Sequence, residues 1–148
     1  TYNPRSGCEK TEKERHCAEL QKAFQENKKD HLCLLLGDMN TRLQARKEQE
    51  EDVMGQFVFG KGEEILETQA KETSENRELF IEFCVENELV VTNTRFKQPN
   101  KEYCTYKEIN TNGFCAPWTP ERFQMLDMCL APNRWKNSII NCFYSFFS

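Results

Sequence analysis

The residues best suited to chemistry in this chain stand directly after a short apolar run. Residues 32–36 are followed by Gly37, Asp38, Met39 and Asn40, so a carboxylate and an amide lie two residues apart. The run is too short for an independent helix, and Gly37 permits a sharp change of backbone direction. Ligands bind beyond the carboxyl ends of strands in open α/β sheets, so a phosphate-containing substrate is expected to reach Asp38 and Asn40. The alternative is an ordinary strand-to-loop turn, in which Gly, Asp and Asn are common for local reasons.

Later segments follow this motif in a specific order. Residues 76–94 read NRELFIEFCVENELVVTNT and continue into RFKQP, and then come YCTY at 103–106, QMLDM at 124–128 and RWKNS at 134–138. Together with the Gly-Asp-x-Asn pattern at 37–40, this order resembles the endonuclease/exonuclease/phosphatase superfamily. Over residues 2–140 it is most similar to the endonuclease domain of non-LTR retrotransposons and to the related craniofacial-development-protein-2-like sequences.

The resemblance implies a metal-dependent phosphodiesterase on a sandwich of two sheets flanked by helices, which is a DNase I-like α/β fold. It implies that Asp38 holds the attacking water or accepts its proton, and that Asn40 orients Asp38 or donates to a phosphate oxygen. Both side chains carry oxygen atoms suited to Mg²⁺, with Mn²⁺ as an alternative. Tyr2 matches a tyrosine beside the scissile phosphate, or is a strand-end aromatic packed on Pro4. Asp127 matches the aspartate that orients the catalytic histidine.

Two features that the resemblance requires are missing from the 148 residues. The family's metal-binding glutamate precedes the position of Tyr2, and its closing Ser-Asp-His motif after Ser138 is replaced by NCFYSFFS. The two histidines, His16 and His31, both precede the Asp38 loop and cannot replace the missing one. We therefore expect residues 1–148 to form a single domain that is incomplete at both ends, and to be a poor enzyme or none.

Three functions stay open at this level. The first is a fragment of a retroelement-derived DNA endonuclease, whose parent protein acts on DNA inside the nucleus. The second is a degenerate or domesticated relic that binds a partner without catalysis, and the third is a phosphatase of the same superfamily. Fold alone does not choose a substrate. The order of the matching segments favours the endonuclease over the phosphatase.

Basic and aromatic residues on predicted loops near strand ends are the candidates for DNA contact. They are Arg42, Arg95, Lys97 and Trp118. The net charge of −4 and the pI of about 5.4 give no overall attraction to a polyanion, so DNA binding requires a local basic patch. The alternative is that these charges are scattered over a solvated surface.

The eight cysteines are spread along the chain without close pairs. Cys33, Cys84 and Cys129 stand in apolar runs, which predicts small buried side chains, an intracellular protein and no disulfide-linked partner. The alternative is a zinc site drawn from Cys8, His16, Cys17, His31 and Cys33. No close Cys-x-x-Cys or His-x-x-x-His spacing supports it. No segment approaches the ~20 apolar residues of a membrane span, so no membrane partner is expected.

Helices and one long excursion must position these residues. Apolar residues at helical spacing predict helices over residues 11–27 and 74–88, with Phe24 packed inward. Residues 41–73 are polar, charged and punctuated by glycine, which predicts a long surface excursion. The apolar tail, 139–147, predicts a core strand or an aggregation-prone end.

The predicted strands complete an α/β order. Runs rich in β-branched and aromatic residues predict strands over 32–36, 89–92, 103–106 and 123–130. We predict that 32–36 is a central strand and that Asp38, Asn40 and Asp127 meet at one end of the sheet.

Overall fold

Helices and short strands alternate along the chain. The computed structural model describes residues 1–27 and 32–145. Its main elements are α1 (Lys10–Asn27), β1 (Leu35–Asp38), α2 (Glu64–Thr68), α3 (Lys71–Glu86), β2 (Leu89–Val91), β3 (Tyr106–Lys107), β4 (Phe123–Gln124) and β5 (Asp127–Pro132). Short 3-10 helices stand at Glu48–Glu50, Thr92–Thr94, Asn100–Glu102 and Asn133–Ser138. This mixture confirms the α/β class.

The strands form two small antiparallel sheets. In the larger one the order is β1-β5-β2, with Leu130 of β5 opposite both Leu35 and Val91. Because β1 and β2 both run antiparallel to β5, their carboxyl ends point to the edge at which β5 begins. The smaller sheet pairs Tyr106 of β3 with Gln124 of β4. The loops after β1 and β2 therefore open at the same edge of the larger sheet.

The strand prediction for residues 32–36 was wrong in its bounds and in its place. β1 begins at Leu35 and continues to Asp38, and the central strand is β5, whose six residues are long enough to pair on both sides. The strand predicted over 123–130 is divided into β4 and β5. At the break, the Thr105 hydroxyl accepts the backbone N–H groups of Leu126 and Asp127, at 2.9 and 3.0 Å.

The core lies between the two long helices and one face of the larger sheet. Leu35 and Leu130 are buried in one cluster with Phe24 of α1 and with Phe80 and Phe83 of α3. The predicted helices and the inward position of Phe24 are confirmed, since α1 and α3 cover 10–27 and 71–86. Side chains alternate along a strand, so the residues next to Leu35 and Leu130 place their side chains on the face of the sheet that points away from this cluster.

The sequence predicted a surface excursion over residues 41–73, but part of this segment is buried. Its apolar residues Leu43, Val53, Met54 and Phe59 are buried in the core. The Val91 amide of β2 donates to the carbonyl of Val53 at 2.7 Å. These apolar residues have neither helical nor strand spacing, so their burial left no periodic pattern in the sequence.

An ion pair fastens this segment to α3. Arg77 is 4% exposed and donates to both carboxylate oxygens of Glu50, at 2.7 and 2.6 Å. The same guanidinium donates to the carbonyls of Leu43 and Ala45, each at 2.9 Å. The Glu50 carboxylate also accepts the Lys47 amide at 2.9 Å. Both buried charges are thus paired and hydrogen-bonded, as burial of charge requires.

The described part of the tail, residues 139–145, does not form the core strand that was one prediction for it. Residues 139–145 form no strand and Ile140 is 91% exposed, so a core strand is not found there, while 146 and 147 lie outside the described residues.

All eight cysteines are free. Cys84 is buried as expected, whereas Cys33 and Cys129 are half-buried, and the Cys129 thiol contacts the thiol of Cys142. No helix of the described ranges combines the length and apolar character of a membrane span.

Candidate functional site

The site is built on a pair of carboxylates that face each other across two strands. Asp38 is the last residue of β1 and Asp127 is the first of β5, and the two are direct partners. The amide of Met39 donates to the carbonyl of Leu126 at 2.8 Å, which makes Asp38 and Asp127 a non-hydrogen-bonded pair. Such pairs bring two Cα atoms to about 4.5 Å and place both side chains on one face. The predicted approach of Asp38 and Asp127 is therefore found.

Tyr2 extends this pair into a row of three. It bridges Asp38 from the other side in parallel orientation, and the Asn3 amide donates to the Asp38 carbonyl at 2.9 Å. Gly37 makes the approach possible, because a Cβ atom at this position would overlap the backbone of Thr1. The Tyr2 side chain is 56% exposed.

Asn40 closes a tight turn around the Asp38 carboxylate. Its backbone has a positive φ of 46°, and its amide N–H donates to Asp38 Oδ1 at 2.8 Å. The side-chain nitrogen donates to the carbonyl of Asn3 at 2.5 Å. The sequence had suggested that this nitrogen contacts a phosphate oxygen, whereas here it ties the turn to the Tyr2 segment. The side-chain oxygen is the atom that remains suited to a cation.

Two residues that the sequence analysis did not assign hold this arrangement in place. Asn76 of α3 is buried, and its side-chain nitrogen lies 3.1 Å from the carbonyls of both Pro4 and Asn40. Thr105 fixes the start of β5 through the Asp127 amide. Both residues stand inside the matching segments, but no pattern in the sequence shows which carbonyl or amide a side chain will meet.

A cavity of about 300 Å³ opens beside Tyr2 and Asp38, and Asp127 is not among the described residues that line it. Its lining includes Tyr2, Arg5, Asp38, Asn40, Arg42 and Tyr106. The Arg5 Nε donates to the Tyr2 hydroxyl at 3.1 Å. Arg42 Nη1 pairs with Glu108 Oε1 at 2.6 Å, which joins the loop after β1 to the chain after β3. Arg5 and Tyr106 were not predicted from the sequence to be site residues, although Arg5 stands only three residues after Tyr2.

The electrostatics of the cavity favour proton uptake by Asp38. Partial burial raises the pKa of the Asp38 carboxyl, and the negative charge of Asp127 raises it further. The hydrogen bond from the Asn40 amide and the positive charge of Arg5 act in the opposite direction, but the pKa of Asp38 stays above its ordinary value. A carboxylate with a raised pKa accepts a proton more readily than a solvated one.

The donor set fits a magnesium ion held mainly by water and substrate. The described residues contain no group of three or more His, Cys, Asp or Glu side chains that could hold a metal ion, so a closed protein cage is not found. Asp38 and Asp127 face the same side, and the Asn40 side-chain oxygen lies on the adjoining turn. Mg²⁺ is usually bound by one or two carboxylates together with water and phosphate oxygens. The oxygen donors here match that mode of binding.

His16 is the one histidine within the described residues, and it does not line the cavity. His16 Nε2 lies 3.0 Å from Asn3 Oδ1, on the α1 side of the Tyr2 segment. His31 lies outside the described residues. A general acid for a leaving group is thus not provided by an imidazole among the residues that line the cavity.

The four residues predicted to contact DNA are not gathered at one place. Only Arg42 lines the Asp38 cavity. Arg95 Nη2 reaches Asn137 Oδ1 at 3.5 Å, and Lys97 lines a different cavity of about 380 Å³ beside Tyr103. Trp118 packs on Phe123, with 4.9 Å between ring centroids, and is partly buried against the core. The structure therefore gives Trp118 a packing role.

Comparisons of the chain with protein families, with curated proteins and with solved structures found no match. Support for a function comes instead from two sources. One is the order of the motifs, and the other is the geometry around Asp38.

Proposed function

We propose that Asp38 stands at the centre of a metal-dependent phosphodiesterase site of DNase I-like fold, of the kind used by retroelement-derived DNA endonucleases. The observation that carries the proposal is the row of Tyr2, Asp38 and Asp127 at one sheet edge, closed by the Asn40 turn. These four residues are the ones that the motif order selects, although they stand up to 125 residues apart in the chain. Their convergence supports a shared chemical role.

The chemistry follows from what each side chain can do. Asp38, with its raised pKa, accepts the proton of an attacking water or holds that water in line with the phosphorus atom. Tyr2 lines the cavity, and its hydroxyl can donate to phosphoryl oxygens as negative charge develops on them. Asp38 and the Asn40 side-chain oxygen would hold Mg²⁺ or Mn²⁺. When bound, the cation supplies a positive charge that stabilises the phosphoryl oxygens.

A second candidate follows from the lining of the cavity. Among the described residues, that lining includes no histidine to act as a general acid. A site that binds a cation and a phosphodiester without cleaving it fits this lining. The second candidate is therefore a DNA-binding relic of the same fold.

Binding of Mn²⁺ tests the proposal without requiring turnover. Paramagnetic Mn²⁺ should broaden the amide NMR signals of residues 37–40 and of Asp127 in the wild-type chain. The broadening should be lost in Asp38→Asn, because an amide lacks the charge that attracts the cation, although its shape is nearly the same. Asp52→Asn removes an equal charge from an exposed loop position and serves as the matched control. If Mn²⁺ leaves the signals of residues 37–40 unchanged, the proposal is overturned.

Nicking of supercoiled plasmid then separates the two candidates. The 148-residue chain is expected to nick no faster than background, because no histidine lines the cavity among the described residues. A version extended by the family's glutamate strand and a closing Ser-Asp-His segment should nick with Mg²⁺, and Asp38→Asn should slow it by roughly 10²–10³-fold. DNA binding without nicking in the extended version would favour the relic. Equal nicking by the extended version and its Asp38→Asn variant would contradict the role of this motif.

A further inference from the structure

We propose that Arg5 is the residue that binds the substrate phosphate in the Asp38 cavity, through a non-bridging oxygen of the phosphodiester. This inference rests on the phosphodiesterase proposal and names the group that would recognise its substrate. It adds a residue outside the matching motifs, since Arg5 follows Tyr2 without belonging to any of them.

The geometry leaves the outer part of the guanidinium available. The Nε atom donates to the Tyr2 hydroxyl at 3.1 Å, which fixes one edge of the group. The Arg5 side chain is exposed and lines the Asp38 cavity. A guanidinium presents its donors in a planar fork that matches two oxygens of a phosphate. With Nε held by Tyr2, the two terminal nitrogen atoms are left to form that fork.

The balance of charge in the cavity points to the same residue. Two guanidinium groups line it, and Arg42 is committed to Glu108 at 2.6 Å. Within the described residues Arg5 has no carboxylate within ion-pair distance. Arg5 is thus the cation of this cavity that a phosphate can neutralise.

The groove next to the cavity is less suited to an anion. It has a volume of about 360 Å³, shares Tyr2 and Arg5 with the Asp38 cavity, and runs along α1. Its other cationic side chain of fixed charge, Arg15, lies 3.9 Å from Glu19, and Glu12 adds a further negative charge. A phosphate is therefore expected on the Asp38 side of Arg5.

The test uses dimethyl phosphate, the smallest phosphodiester, in buffer with a chelator and no metal. Amide and arginine Nε NMR signals of the 148-residue chain are followed during titration. The wild type is expected to shift at Arg5, Tyr2 and the 37–40 turn. Arg5→Gln should weaken binding by about tenfold or more, because glutamine has neither the positive charge nor the planar fork of donors. Arg5→Lys should fall between them, because lysine keeps the charge and loses the fork.

The matched control is Arg15→Gln, which removes the same charge from an exposed position on α1. It should bind dimethyl phosphate within about twofold of the wild type if recognition is local, because Arg15 is paired with Glu19 and is not among the residues that line the Asp38 cavity. Equal binding by Arg5→Gln and wild type would overturn the inference, and so would an equal loss in Arg15→Gln. The result is independent of the Mn²⁺ experiment. Arg5-dependent binding together with absent Mn²⁺ binding would reject the phosphodiesterase and retain the anion site.

Discussion

A single amide group of Asn76 connects the two halves of the candidate site. Its nitrogen lies 3.1 Å from the carbonyl of Pro4 and 3.1 Å from that of Asn40, so one α3 side chain joins the Tyr2 segment to the Asp38 turn. A buried side chain that bridges two backbone segments both stabilises the fold and sets their separation. The first prediction follows from this double contact.

Asn76→Ala should lower the free energy of unfolding by about 1–3 kcal/mol, the usual effect of leaving buried polar groups unsatisfied. It should also shift the amide NMR signals of Tyr2 and Asn40, because both lose the anchor to α3. Asn87→Ala is the matched control, since Asn87 is also buried but contacts Gln25 and Phe83. It should destabilise the fold and leave the Tyr2 and Asn40 signals in place. If both variants disturb those signals alike, Asn76 has no special positioning role.

The ion pair between Arg77 and Glu50 predicts a pH dependence of stability. Burial acts to raise the pKa of Glu50, but the hydrogen bonds from Arg77 and from the Lys47 amide outweigh it and hold this pKa below its ordinary value of 4.5. The folded state thus binds a proton on Glu50 less readily than the unfolded state. The stabilisation is fully present above pH 4.5 and is lost as the pH falls through the folded-state pKa.

Glu50→Gln should therefore cost most at neutral pH. Breaking a buried ion pair costs about 3–5 kcal/mol, and the difference from wild type should shrink as the pH falls below 4.5. Urea unfolding at several pH values measures this difference. Glu48→Gln removes the same charge from an exposed position two residues away and should have a small effect at every pH. A difference for Glu50→Gln that stays constant from pH 7 to 3 would contradict the prediction.

Gly37→Ala should separate the first residues from β1. The added Cβ would overlap the backbone of Thr1, so the Thr1–Asn3 segment has to move away, at a cost of about 1–3 kcal/mol. Loss of nuclear Overhauser contacts between Tyr2 and Asp38 measures the separation. Gly7→Ala is the control, because an added Cβ at Gly7 meets nothing within 4 Å. Retained contacts between Tyr2 and Asp38 in Gly37→Ala would show that the strand pairing has more room than the structure indicates.

Cys129 should be alkylated more easily than the two buried thiols, Cys84 and Cys104. The hydrogen bond from the Cys142 thiol lowers the pKa of Cys129, whereas burial raises the pKa of Cys84 and brings that of Cys104 to about 12. Thiolates are the reactive form, so iodoacetamide at pH 7 should modify Cys129 before Cys84 and Cys104. Mass spectrometry of peptides gives the order of modification.

Removing the hydrogen-bond donor tests the cause. Cys142→Ala should slow the alkylation of Cys129, because its thiolate then loses the group that stabilises it. Cys115→Ala, at an exposed position, should leave the rate at Cys129 unchanged. Faster alkylation of Cys129 in Cys142→Ala would mean that the contact shields the sulfur rather than activating it.

Local patterns were enough to predict the two long helices, α1 and α3. These helices carry apolar residues at regular spacing, and their observed bounds differ from the predicted ones by at most three residues. The short helix α2 was not predicted, because its five residues lie in a polar segment. The meeting of Asp38 with Asp127 was predicted from the order of the matching segments and from the binding of ligands beyond strand ends, since no local pattern pairs the two residues.

Contacts between distant residues that share no pattern could not be predicted. Glu50 and Arg77 are 27 residues apart, and nothing in the spacing of either marks it as a buried partner of the other. The inward turn of Val53 and Met54, inside a polar segment, depends on an available site beside β2. The packing of Trp118 on Phe123 likewise depends on a loop conformation that side-chain type does not reveal.

Residues 43–50 are attached to Arg77, so we expect this part of the chain to open only together with α3. A loop that bears functional residues ordinarily opens by itself, with little cost in free energy. Here the carbonyls of Leu43 and Ala45 and the carboxylate of Glu50 are all held by one side chain of α3. Amide protons such as that of Glu50 should then exchange with deuterium only when α3 itself unfolds. The turn around Asp38 is thereby held between a strand and a slowly exchanging cooperative unit, although its own residues are irregular.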